Sequence, residues 1–187
     1  MFDVDELIAQ CRAALAETEP RRAVREVLDR TLSRPGDVAD ALGERAGGLR
    51  LLHHAPDLTV LNVVWAPAMY LQPHDHRMWA AIGVYGGQED NAFFRRDPDA
   101  GLTPSGAKQL QARDVVLLGD ATIHSVANTR DHEFTGAIHV YGGDFVNQPR
   151  SQWNPETLRE EPYDLAATNA AFEAANAAWA ARDASES

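Results

Sequence analysis

The sequence predicts a mainly β fold, an antiparallel barrel or sandwich with helices before it and a helix after it. Three features carry that expectation. Between about residues 49 and 143 the chain breaks into short runs, LRLLH, LTVLNVVWA, WAAIGVY, NAFFRR, DVVLLG and AIHVYGG, separated by Gly, Pro and Asp. Many short strands broken by turn residues make a barrel or sandwich rather than a layered α/β fold. The first 47 residues instead repeat apolar side chains at helical spacing, and an Ala-rich segment after residue 149 returns to it.

Val4, Leu7, Ile8, Cys11 and Leu15 share one face of a first helix over residues 3–16. Glu19-Pro20 interrupts the pattern, and Pro20 can open a second helix with Val24, Val27 and Leu28 inward. Pro35-Gly36-Asp37 reads as a turn, and a short third helix through Val38 and Leu42 stops at Gly43 or at Gly47-Gly48. Cys11 lies on the buried face and reads as a small core residue. In the last helix Leu165, Phe172 and Trp179 mark one face, ending near Arg182, with DASES as a frayed tail. The expected organisation is a single domain over 1–187, with a helical flank over 1–47, a β-barrel over 48–149 and a helical extension over 150–187.

Composition narrows the function. Hydrophobic residues at 44% and charged residues at 24% are those of an ordinary globular chain. No apolar run reaches the ~18 residues of a membrane-spanning helix. MFDVDELIAQ is acidic and lacks the basic head and apolar middle of a signal peptide, so the expected location is cytoplasmic. A net charge of −11 argues against a nucleic-acid partner. The one cysteine, Cys11, leaves no internal disulfide and no cysteine-based zinc site. A bound metal must therefore take histidine, carboxylate or water.

All seven histidines fall in the β region. The sharpest pair is Pro73-His74-Asp75-His76, because residues two apart on a strand point to one face. His124, in His124-Ser125-Val126-Ala127-Asn128, brings a third imidazole from a later strand. Three neutral imidazoles around an ion leave positions for substrate and oxygen, or for an activated water. The competing reading is a set of hydrogen-bonded core or surface histidines. His139 and Tyr141, in Ala137-Ile138-His139-Val140-Tyr141, also share a strand face. His132 is expected to be exposed, and one of His53 and His54 inward, neither a ligand.

HDH followed by WAAIGVYGGQE, and then GDATIHSVAN, resembles the two motifs of the cupin superfamily. The resemblance implies a double-stranded β-helix (jelly-roll) barrel. The first cupin motif usually adds a metal-binding Glu just beyond the second His, where this chain has Ala80 and Ala81. That departure, with the spacing from Trp65 to the HDH, resembles the cysteine dioxygenase-like thiol dioxygenases, and most closely their bacterial 3-mercaptopropionate dioxygenase-like branch. It implies a non-haem Fe(II) enzyme that uses O2 to oxidise a small thiol, a thiol acid or aminothiol, to its sulfinate, with iron on His74, His76 and His124. It also implies a catalytic relay containing His139 and Tyr141, although Ala137 stands where the family has Ser. The cysteine of the Cys–Tyr crosslink found in some members corresponds to Ala81, so no such crosslink forms here. A carboxylate substrate needs a fixed cation. Arg50 roughly matches the family's carboxylate-binding Arg across a two-residue gap, Arg77 would point to the opposite face from the histidines, and Arg95-Arg96 reads as a solvated strand end. The rival readings are another metal-dependent cupin enzyme (an isomerase, a ring-cleaving or a hydrolytic enzyme) and a non-catalytic metal- or ligand-binding cupin.

Overall fold

The computed structural model describes residues 1–186. Three helices come first, α1 (Val4–Ala14), α2 (Pro20–Thr31) and α3 (Pro35–Leu42). The strands β1 (Gly48–Ala55), β2 (Leu58–Trp65), β3 (Tyr70–Asp75), β4 (Ala80–Gly86) and β5 (Gln88–Asp97) follow. The chain then returns through β6 (Gly101–Gln111), β7 (Val115–Leu118), β8 (Ile123–Ala127) and β9 (Thr135–Tyr141). Two short strands, β10 (Ser151–Trp153) and β11 (Glu160–Pro162), precede α4 (Leu165–Glu186).

One sheet has the order β1-β2-β9-β4-β7 and the other β11-β10-β3-β8-β5-β6. The antiparallel pairs nest, with β5 on β6, β4 on β7, β3 on β8 and β2 on β9. That is the order of a long ribbon closed by the β5–β6 hairpin and rolled so that successive pairs alternate between two sheets, the jelly roll expected from the sequence.

Burial explains the texture of the central strands. Every residue of β2 is buried because both of its faces are covered. Leu61, Val63 and Trp65 enter the barrel interior with Leu71, Ile82, Val126 and Tyr141. Leu58 and Val60 face outward, under α1–α3, against Leu7, Cys11, Val24, Leu28 and Leu42. Burial pushes the Cys11 thiol up to about 12, so it is an inert core residue. Asn62 joins the layers, donating from Nδ2 to the Leu42 carbonyl at the end of α3 (2.9 Å) and accepting from the Tyr85 hydroxyl (2.9 Å). Gly87 turns the chain from the first sheet to the second at φ +71°, where a Cβ would lie 2.5 Å from Thr135 Oγ1.

Three stretches differ from expectation. Residues 101–111, which lie in none of the runs read as strands, form β6, an edge strand with a largely exposed surface. It therefore lacks apolar alternation and tolerates Pro104. The segment 150–162, read as the start of a helical extension, contains β10 and β11, and Trp153 is buried with Leu102 and Ile123. Finally, α4 continues through Glu186 instead of stopping near Arg182. Among the described residues no helix is long and apolar enough to cross a membrane.

Candidate metal centre

The strand periodicity places His74 on β3 and His76 just beyond it, while β8 supplies His124 directly opposite His74 in register. All three are buried, and their available ligand atoms lie within 4.8 Å of one another. Among the described residues they form the one such cluster, and no carboxylate joins it. His124 Nε2 stands 3.3 Å from His76 Nε2, a contact between two ring nitrogens that a shared cation satisfies. His74 Nδ1–H donates to the Gln72 carbonyl (2.9 Å) and His124 Nδ1–H to Asn91 Oδ1 (2.7 Å), which leaves both Nε2 lone pairs for an ion. The residues therefore fit a metal held by three neutral imidazoles.

Their electrostatics agree. Burial, and then the positive charge of neighbouring groups, lowers His74 to about 4 and holds His76 and His124 well below the ordinary imidazole range. At neutral pH no proton need leave before a metal binds.

Asp75, between the two β3-side ligands, points out of the barrel. Its Oδ1 accepts from the Ser151 amide (2.8 Å), and its Oδ2 meets Arg77 Nε (2.6 Å) and Arg96 Nη2 (3.0 Å). Arg77, at φ 57°, and Arg96 both reach Glu160 on β11. Arg96 is thus part of an ion-pair network behind the ligands and not a free solvated strand end. This network fastens the C-terminal strands to the backbone that carries the histidines.

A narrow cavity of about 20 Å³ opens at the triad. Leu49, Leu61, Val63, Leu71, Val126 and Phe145 supply its apolar wall, while His139, Tyr141, Tyr163 and Thr168 add polar groups. His139 and Tyr141 face it together from β9, with His139 Nδ1 3.0 Å from the Tyr141 hydroxyl and the Tyr141 ring 5.0 Å from that of His76. Burial pushes the Tyr141 hydroxyl above its ordinary value, so it stays protonated. Trp65 stacks on Phe172 of α4 (5.4 Å), which seats that helix against the cavity.

Arg50 lies elsewhere. Its guanidinium pairs with Glu44 at 3.0 Å, is 45% exposed and does not line the cavity. On β1 it is Leu49 that points inward, so the alternation turns Arg50 away. This corrects the substrate-binding expectation. Arg150, which sequence reasoning missed, is the cation beside the site. Its guanidinium is stacked 4.0 Å from both the Phe145 and Tyr163 rings, and its charge acts on His74, His76 and Tyr141. His53 contacts Arg12, His54 pairs with Asp144 (2.7 Å) and His132 is exposed, so none of the three reaches the centre.

Glu89 and Asn91 were also missed. They sit two apart on β5 with their side chains inside, polar residues where alternation calls for apolar ones. Two inward polar residues on one strand face were the available signal. Asn128 closes the turn after β8, donating from Nδ2 to the Trp65, Ala66 and Glu133 carbonyls, so the Asn of the second motif is structural.

No protein-family model matches the chain. Solved structures resemble it at low identity. A protein from Bacillus halodurans, BH2720, is 14% identical over 57% of this chain and 78% of its own, with a TM-score of 0.49. A cupin superfamily protein from Desulfitobacterium hafniense is 13% identical over 57% and 88%, at 0.46. The DMSP lyase DddQ of Ruegeria pomeroyi is 15% identical over 59% and 53%, at 0.47.

Proposed function

We propose that this chain is a non-haem Fe(II) dioxygenase that oxidises a small ω-thiol carboxylic acid to its sulfinate. The observation that carries the reading is a carboxylate-free cluster of three buried, neutral imidazoles at the wall of a small and mostly apolar cavity, with a histidine–tyrosine pair beside it. Fe(II) held by His74, His76 and His124 supplies open coordination positions and the redox chemistry that O2 requires. Both oxygen atoms of O2 end on sulfur, so a thiolate and O2 give a sulfinate with no other reductant.

The chain's own groups bind, orient and exclude water. The leucine and valine wall keeps the reacting sulfur dry. Tyr141, held neutral, has one hydroxyl proton, which rests on His139 Nδ1 at 3.0 Å and turns to the oxidised sulfur group when that group forms. Arg150 offers the substrate carboxylate a cation whose Nε is buried without a hydrogen-bond partner. Among the described residues no carboxylate side chain lines the cavity, so the ammonium of an aminothiol would be desolvated unpaired. That difference favours a thiol acid over an aminothiol.

Oxygen uptake by the iron-loaded chain tests the reading. 3-Mercaptopropionate is expected to stimulate uptake with formation of its sulfinate, and cysteamine to do so far less. Failure of every small thiol to stimulate uptake overturns the activity while leaving the barrel and the histidine cluster in place.

A further inference from the structure

Ala137 removes the hydroxyl that the resemblance led one to expect beside His139. A different group stands there. Glu89, on β5, is fully buried, and its Oε2 lies 3.7 Å from His139 Nε2, an atom with no hydrogen-bond partner of its own. The same Oε2 accepts from Trp65 Nε1 (2.8 Å), and Oε1 accepts from Asn91 Nδ2 (2.9 Å). Asn91 in turn accepts the Nδ1–H of His124. We propose that Glu89 is the positioning residue of the centre, a single carboxylate that sets the ring tautomers of both the ligand His124 and the relay residue His139.

A carboxylate only accepts, so Asn91 must turn its NH2 toward Glu89 and its carbonyl oxygen toward His124. The carbonyl only accepts, so His124 must carry its proton on Nδ1 and present the Nε2 lone pair to the metal. On the other arm, Oε2 stands 3.7 Å from His139 Nε2, beyond hydrogen-bond length, and its negative charge favours the tautomer of an uncharged His139 ring that carries its proton on Nε2. His139 Nδ1 is then an acceptor, and the Tyr141 hydroxyl donates to it. Burial by itself would raise the Glu89 pKa, but contacts with His139, Asn91 and Trp65 outweigh it and hold the carboxyl below its ordinary value. Glu89 is therefore an acceptor at working pH. A neutral amide at this position loses that directionality, since it donates as readily as it accepts.

The inference rests on the metal-centre reading but not on thiol oxidation, and its test uses zinc without substrate. Zinc affinity is measured by chelator competition on the full chain, and the His139 tautomer by heteronuclear NMR of ring nitrogens in metal-free protein. Glu89→Gln is expected to weaken zinc binding about tenfold or more and to replace the single Nε2–H tautomer of His139 with a mixture. Retention of either property in folded Glu89→Gln protein overturns the proposal, because one carboxylate would then not govern both arms. If Glu89→Gln does not fold, Asn91→Ala cuts the His124 arm alone. It is expected to weaken zinc about tenfold while His139 keeps its tautomer, and unchanged zinc affinity in that variant overturns the proposal equally. A wild-type chain that binds no zinc or iron refutes the metal reading itself, and the His139 tautomer still decides the other arm.

Discussion

His74, His76 and His124 form a buried cluster whose ring nitrogens lie close enough together to hold a metal ion. Replacing His76 or His124 with Ala removes one of three donors, so the purified variant is expected to hold less than about a tenth of the wild-type metal, read by elemental analysis. The two arginines separate substrate recognition from surface chemistry. Arg150→Met removes the cation stacked beside the cavity and is expected to raise the KM for 3-mercaptopropionate about tenfold or more, a loss of roughly 1.4 kcal/mol or more. Arg50→Ala only frees Glu44 at the surface and is expected to leave that KM within about twofold. Steady-state oxygen uptake measures both, and a larger effect at Arg50 sinks the assignment of Arg150. At this scale the sequence disclosed the histidine cluster, because period-two spacing forces His74 and His76 to one side. It did not disclose Arg150, since Pro149-Arg150-Ser151 carries no periodic signal and meets Phe145 and Tyr163 only through the return of the chain.

Among the elements, β10 and β11 decide whether the histidine-bearing strand keeps its place. Gln152 of β10 pairs with His74 of β3, and Asp75 receives the Ser151 amide, Arg77 and Arg96. Trp153 anchors β10 beneath the Arg96 guanidinium, 4.9 Å from its ring, in a small cluster with Leu102 and Ile123. Trp153→Ala leaves a cavity the size of an indole and is expected to cost about 3–5 kcal/mol of folding stability, seen as a lower denaturation midpoint in urea. An unchanged midpoint would show that β10 is not an anchor. The strands the sequence revealed were those covered on at least one face, such as β2, β4 and β9. Edge strand β6 and the three-residue strands were illegible because exposed or very short pairing leaves no hydrophobic pattern.

For the whole molecule, the buried triad links folding to pH and to metal. In the metal-free chain His74 titrates at about 4 when folded and near 6.5 when unfolded. Between those values the unfolded state binds more protons, so stability rises with pH, and it falls as pH drops from about 6.5 toward 4. His74 alone accounts for roughly 3 kcal/mol over that window, and His76 and His124 add in the same direction. Thermal melts of the metal-free protein from neutral pH downward are expected to show a steep loss of Tm across this range. An ion at ~100 times its Kd is expected to add about 2.7 kcal/mol at neutral pH, and that gain should vanish in His76→Ala.

The sequence by itself determined the covered strands, the three N-terminal helices and the shared face of His74 and His76, because each depends on local spacing: two for a strand face, 3.6 for a helix face. Only the tertiary structure decided which groups complete the site. Glu89 reaches Trp65 across 24 residues, Asn91 reaches His124 across 33, and Arg150 meets Tyr163 after a detour through β10 and β11. Such contacts follow from how the ribbon rolls and where its edge is capped, and a buried charge declares its partners only once the barrel has closed around it.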